Sequence, residues 1–184
     1  GALGLGSSCS HVVGAHARVE VDGLPETEVY LMPHVERGAF GWLVPLGDGR
    51  ARVGALGPRN AGRVLSCLLD CPGVKERLRA PAEHVARRPI PVSPLQRGYG
   101  DRVIAIGDAL GAVKPTTGGG LYFGALSALS AVNALAVGFE TCDLSARTLA
   151  AHDVRWKSQL NGELRRGRML RRFYTHMGPR TIDR

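Results

Sequence analysis

The chain has few aromatic residues, with 2 Trp, 4 Tyr and 4 Phe in 184 positions. Its positive charge is therefore not interleaved with stacking rings. No recognised nucleic-acid motif appears either, so nucleic acid is not expected as a partner. Its 4 Cys do not make a disulfide framework, and Cys67 and Cys71, four apart in a predicted helix, have no Cys or His pair to complete a zinc pattern. No metal site is expected, and reduced thiols point to a cytoplasmic setting. The 6 His are scattered, and none pairs with a nucleophile in sequence, so no catalytic acid or base is assigned. The first residue is Gly1, not Met, and the start has no signal-peptide layout. A strand followed by Gly-x-Gly-x-x-Gly is missing too: Gly1, Gly4 and Gly6 stand in the wrong order with no strand before them. That start leads to the expectation of a fragment. No internal repeat or low-complexity segment is evident.

Glycine, by contrast, is abundant, with 25 residues, and hydrophobic residues make up an ordinary 44%. From about Ser10 to Leu56 the pattern predicts antiparallel strands. Ala17, Val19 and Val21 alternate with Arg18 and Glu20, and Ala51, Val53 and Ala55 repeat the alternation. Glu28–Met32 and Ala39–Val44 lie between them, and Gly47-Asp48-Gly49 supplies a tight turn. Asn60 is the expected N-cap of a helix through Val64, Leu68 and Leu69, broken near Pro72-Gly73. A second short helical stretch follows through Leu78. Val85–Val92 reads as extended, with Pro89 and Pro91 confining it to an edge or a connection. Val103–Ile106 reads as a strand covered on both faces, ending in Gly107-Asp108. After Asp143, a predicted cap, the chain reads as helix nearly to its end.

The segment Gly107–Gly124 is the most informative. Physically it is a strand end, a loop of small residues, and three glycines opening a helix. Ligands of open α/β sheets sit outside the carboxyl ends of strands, and helix-start N–H groups favour negative charge before them. A flavin suits these features: Asp108 to hold ribityl or phosphate-proximal hydroxyls, and the Gly118–Gly120 amides to face the pyrimidine edge. From spacing alone the simpler reading, glycines that only permit tight helix–strand packing, is favoured, because glycine-rich loops are common.

Gly107-Asp108-Ala109, followed by Lys114-Pro115-Thr116-Thr117-Gly118-Gly119-Gly120, resembles the second flavin-binding motif of the p-hydroxybenzoate hydroxylase-like superfamily. Its wording is closest to the geranylgeranyl reductase family. Upstream, Gly41-Trp42-Leu43-Val44-Pro45-Leu46-Gly47 is similar to that family's aromatic-x-Trp-x-Phe-Pro-x-Gly signature, with Phe40 where Tyr is usual and Val44 where Phe is usual. Downstream, Arg155-Trp156 and Glu163–Gly167 resemble its carboxyl-terminal helix. The resemblance runs from about Tyr30 to Arg172. It implies FAD as cofactor, held by Gly107, Asp108, Lys114, Pro115, Thr117, Gly118, Gly119 and Gly120. It also implies a polyprenyl or other apolar small-molecule substrate bordered by Phe40, Trp42, Pro45 and Tyr122. The implied reaction is reduction of carbon–carbon double bonds in a geranylgeranyl or polyprenyl lipid, with an electron donor the sequence does not name. The resemblance implies as well that the amino-terminal dinucleotide-binding Rossmann half is absent, so the isolated fragment is expected to be inactive and to bind flavin poorly. Two alternatives stay open: a flavin monooxygenase or halogenase of the same superfamily, and a basic membrane- or nucleic-acid-binding module without redox chemistry.

The expected fold class is mixed α/β. An antiparallel substrate-domain sheet (1–100) precedes the returning strand and helix of a flavin-binding Rossmann-like domain (101–140) and a helical tail (141–184). The uncharged stretch Pro115–Phe139 approaches the roughly 20 residues that span a bilayer. Its Ala, Ser and Gly content predicts instead a buried helix packed on a sheet and a cofactor. The net charge of +8 concentrates in 155–172, where Trp156, Leu160 and Leu164 fall four apart. That pattern predicts a solvated basic face over an apolar contact stripe. A second reading is contact with an anionic membrane surface, making the protein cytoplasmic and peripheral.

Overall fold

The computed structural model describes residues 4–6 and 10–176. Cys9 and the helical expectation for 177–184 lie outside them, as does part of the Gly1–Gly6 segment. The fold is mixed α/β, and the chain divides into two compact units, one built on 12–89 and the other on 90–171.

The first unit is a five-stranded sheet with one helix on it. Strands β1 (His11–Glu20), β2 (Glu28–Leu31), β3 (Phe40–Gly47), β4 (Arg50–Gly57) and β5 (Glu83–Pro91) take the order β2-β3-β4-β1-β5. β1 pairs antiparallel with β4, β4 with β3, and β3 with β2. The β3–β4 hairpin turns through Gly47, Asp48 and Gly49, all at positive φ, which glycine adopts freely and Asp tolerates. Helix α1 (Ala61–Leu69) starts where the Asn60 side chain accepts the Arg63 N–H at 3.0 Å. Its Val64, Leu65 and Leu68 pack with Leu43, Val53, Ala55, Ala15 and Ala17 to form the core. Gly41 on β3 makes room for Leu68: a Cβ there would lie 2.6 Å from a Leu68 methyl. The one-turn helix α2 (Pro72–Lys75) leads to Arg77, whose guanidinium grips the Glu28 carboxylate at 2.8 and 2.6 Å. That hydrogen bond, with a second from Tyr30, holds the Glu28 carboxyl at about 2, well below its usual range. β5 lies at the sheet edge, where Pro89 and Pro91 remove donors without breaking an inner ladder.

In the second unit the expected buried strand differs. Only Val103–Ile104 (β7) is extended, paired antiparallel with Tyr99–Gly100 (β6), and Ile106 is 44% exposed. A run such as Val103–Ile106 becomes an inner strand only if strands flank it, and its one neighbour here is a short hairpin arm. Gly107–Leu110 is a single helical turn (α3), closed by Gly111 in the left-handed conformation. Helices α4 (Leu121–Glu140) and α5 (Ala146–His176) make up the rest. α4 is long and apolar enough by length and composition to cross a membrane. It is buried only along a stripe that includes Phe123, Ser127, Ser130, Ala131, Ala134 and Gly138, while Leu129, Val132 and Phe139 stay exposed. The expectation of a buried helix therefore holds for one side.

α5 is capped by two carboxylates: Asp143 accepts the Ser145 N–H, and Asp101 accepts the Ala146 N–H at 2.7 Å. Trp156, Leu160 and Leu164 form its inward stripe and pack with Leu95, Leu110, Ala112 and Phe123. Asp153, also buried, accepts from the Trp156 indole at 2.8 Å, the Lys157 ammonium at 2.7 Å and the Gly98 N–H at 3.2 Å.

His152 is fully buried, and its Nε2 donates to the Ala105 carbonyl at 3.1 Å, which fixes the neutral tautomer with Nδ1 unprotonated. Nδ1 has no partner. Burial pushes its pKa below the ordinary 6.5, against smaller upward effects from the Ala105 bond and Asp153. The unfolded chain thus takes the proton more readily than the folded one. Stability is full above pH 6.5 and falls as the pH drops through it. The expected result is a melting temperature that declines between about pH 7 and 5, and His152→Gln should flatten that decline while lowering the plateau. Glu28 acts in a separate window, its contribution being lost as the pH falls toward about 2. Thermal melts at stepped pH on both proteins check this; an unchanged slope in the variant would refute it.

Candidate functional site

The glycine-rich segment folds into a shelf at the start of α4. Gly107, at φ +54, stands against Gly124: a Cβ on either would lie 3.7–3.8 Å from the other's Cα. Ser127, one turn further along α4, accepts the Gly107 N–H at 2.9 Å and donates to the Gly124 carbonyl at 2.8 Å. This contact sets the α3 turn on α4 and leaves Asp108 exposed at its outer side. Gly111 comes so close to Ser93 that a Cβ would sit 2.4 Å from its carbonyl oxygen.

From there Ala112 and Val113 are buried, and the loop closes on itself. The Lys114 N–H donates to the Gly119 carbonyl at 2.9 Å and the Gly118 N–H to the Lys114 carbonyl at 2.8 Å. Gly118, at φ +71, makes that closure possible. Pro115 is buried against Gly167 of α5, where a Cβ would come within 2.8 Å of its ring, and Arg171 donates to the Pro115 carbonyl at 3.1 Å. Gly120 lies under the Asp108 carboxylate, with a would-be Cβ 2.6 Å from Oδ1. Gly120 is also the N-cap of α4 and carries no side chain to satisfy the first-turn N–H groups.

Of the residues the sequence marks for a cofactor, Gly107, Asp108, Lys114, Pro115, Thr117, Gly118, Gly119 and Gly120 all belong to this one turn-and-loop. Asp108, Lys114, Thr117 and Gly119 are exposed, and Pro115 is buried. The result is a shelf without side chains from Gly118 to Gly120, an exposed carboxylate beside it, and uncapped amides behind. The supports Ser127, Gly124, Gly111 and Gly167 were missed by the sequence reading. A signal existed for two of them: Gly120, Gly124, Ser127, Ala131 and Ala134 repeat at helical spacing, the mark of a face in close contact.

In the first unit, strand alternation puts Phe40, Trp42 and Val44 on the face of β3 away from α1, and Pro45 on the face with Gly41 and Leu43. Val29 and Leu31, opposite Trp42 and Phe40 in register, stand on the same side and are 61% and 51% exposed. This apolar face was not foreseen beyond Phe40 and Trp42, because the partner strand decides it. The Trp42 indole lies flat over Gly54, where a Cβ would come within 2.2 Å of the ring, and its ring centroid is 5.6 Å from that of Phe40. Tyr122, in the first turn of α4, is 61% exposed and meets Phe123 edge-on. Among the described residues no cluster of His, Cys, Asp or Glu is arranged to hold a metal, and Cys67, Cys71 and Cys142 are free thiols. Gly54→Val is expected to lift the Trp42 ring and to cost about 1–3 kcal/mol. Urea unfolding followed by tryptophan emission reads both effects, and a variant with unchanged midpoint and emission would refute the contact.

No protein-family profile matches the chain. Among curated proteins it is 31% identical over 183 residues to digeranylgeranylglycerophospholipid reductase 2 of Methanothermobacter thermautotrophicus, covering 95% of this chain and 46% of that one. The chain thus spans about half the length of such relatives. Its fold is similar to that of a geranylgeranyl bacteriochlorophyll reductase-like protein from Thermoplasma acidophilum, with TM-score 0.83 and 20% identity over 95% of this chain and 46% of that one. A probable FAD-dependent monooxygenase from Pseudomonas aeruginosa shares the fold at TM-score 0.59 and 18% identity, over 90% of this chain and 49% of that one. By sequence, with the fold in agreement, the chain is similar to geranylgeranyl reductase family proteins over about half of their length.

Proposed function

We propose that this chain is part of an FAD-dependent reductase that saturates carbon–carbon double bonds in a geranylgeranyl or other polyprenyl lipid. The observation that supports it most directly is the shelf at the start of α4, where Gly120 leaves room for the Asp108 carboxylate that a Cβ would displace. The residues fit a flavin. Asp108 is exposed and free to accept hydrogen bonds from sugar-like hydroxyls, and Gly118–Gly120 offer close backbone approach. The uncapped amides at the start of α4 favour the electron-rich edge of a ring system. Lys114 and Thr117 stand exposed on the same loop.

A bound FAD, once reduced by a two-electron donor, would supply the hydride for one alkene carbon, with a proton adding to the other. The protein's part is to bind, orient and keep water out. Phe40, Trp42, Val29, Leu31 and Val44 offer an apolar face suited to a polyprenyl chain. Pro45 lies on the other face of β3 and is not part of this surface, and no residue is assigned as proton donor. The names of the sequence relatives favour the reductase over a monooxygenase or halogenase, whose likeness is of fold alone. The free thiols suit a cytoplasmic enzyme, and basic α5 suits one held at a membrane surface, where such a lipid resides.

Visible absorption spectra of this chain, and of the protein with its upstream region restored, test the reading. Flavin bands are expected in the longer form. In it Asp108→Ala should weaken flavin binding by roughly 10- to 100-fold, and Gly120→Val should abolish it with helical circular dichroism retained. Substrate-dependent oxygen consumption would instead identify a monooxygenase. If neither form takes up flavin, the proposal fails.

A further inference from the structure

The apolar contact stripe that the sequence predicts, Trp156, Leu160 and Leu164, is spent on the core, each being no more than 1% exposed. A second stripe lies further along the same helix. Arg165, Met169, Arg172 and Phe173 follow one another at helical spacing, flanked by Arg166 and Leu170. Met169, Leu170 and Phe173 are 66%, 57% and 68% exposed. Arg165, Arg166 and Arg172 are exposed as well, and among the described residues none of them is in an ion pair. The opposite side of the helix is the one held in place: Leu164 is buried and Gly167 abuts Pro115. From Val154 to His176 the one acidic residue is Glu163, half-buried at the margin of this face, one turn before Arg166 and two before Leu170.

We propose that the Arg165–Phe173 face of α5 is the surface by which the protein docks on an anionic membrane. Large exposed apolar side chains ringed by unpaired guanidinium groups match the boundary between headgroups and acyl chains. Phosphates there accept two hydrogen bonds from each guanidinium, and Met, Leu and Phe enter the apolar layer. A nucleic acid would use the arginines but leave Met169 and Leu170 in water. A protein partner would have to bring its own acidic complement. The inference deepens the membrane contact proposed above and is read without flavin, so either can fail alone.

The test is co-sedimentation of the full chain with vesicles of phosphatidylcholine, with and without added phosphatidylglycerol, at low and high salt. Binding is expected only to the anionic vesicles and should weaken with salt. Replacing Arg165, Arg166 and Arg172 together by Gln should lower partitioning by roughly 100-fold. Met169→Ser with Phe173→Ser should lower it by at least about 10-fold. All substituted side chains are exposed, so circular dichroism should match the parent. No binding to anionic vesicles overturns the proposal. So does binding that survives both variants, which would point to the exposed side of α4, or sedimentation without lipid, which would mean self-association.

Discussion

The Ser127 hydroxyl is the narrowest constraint in the second unit. It is fully buried in α4 and joins two backbone groups, accepting from Gly107 and donating to Gly124. The half-buried Gly107 N–H and the buried Ser127 hydroxyl are satisfied together. Because Gly107 and Gly124 carry no side chains, the α3 turn sits directly on the α4 backbone. The position of Asp108, and with it the whole glycine shelf, depends on that approach. A bulky side chain at Gly124 would press on the turn, and Gly107 is held at φ +54, a conformation that favours glycine.

The same logic recurs in the first unit. Gly41 admits Leu68 on one face of β3, and Gly54 admits the Trp42 ring on the other. Glycines there do not loosen the sheet; they let large side chains lie down on it. One face is filled by α1, and the other keeps a band of Val29, Leu31, Phe40, Trp42 and Val44. Val29 and Leu31 are exposed and the other three half-buried, and the proposed function uses this band for an apolar substrate. The α5 helix shows the parallel division, with one stripe spent on packing and a different one left outside.

The two proposed sites were legible to different depths. The cofactor residues were recognisable because they are contiguous: a glycine loop between a turn and a helix carries its own conformational demands, whatever surrounds it. The substrate residues are spread over paired strands, and the sequence shows one strand at a time. Phe40 and Trp42 were visible, whereas Val29 and Leu31 join them only through the β2–β3 register, and Pro45 falls on the opposite face.

By itself the sequence determined what is local. Asn60 caps α1, Gly47-Asp48-Gly49 turns the hairpin, Pro89 and Pro91 keep β5 at the edge, and Trp156, Leu160 and Leu164 form the packing stripe of α5. Each follows from backbone sterics or from helical period within a few residues. Tertiary structure decided what depends on distant partners. Asp101 caps α5 from 45 residues away, Val103–Ile106 shortens because its one strand neighbour is a hairpin arm, and α4 is covered on one side only. An apolar segment records its wish to leave water, but which side finds a neighbour is settled only when the chain has folded around it.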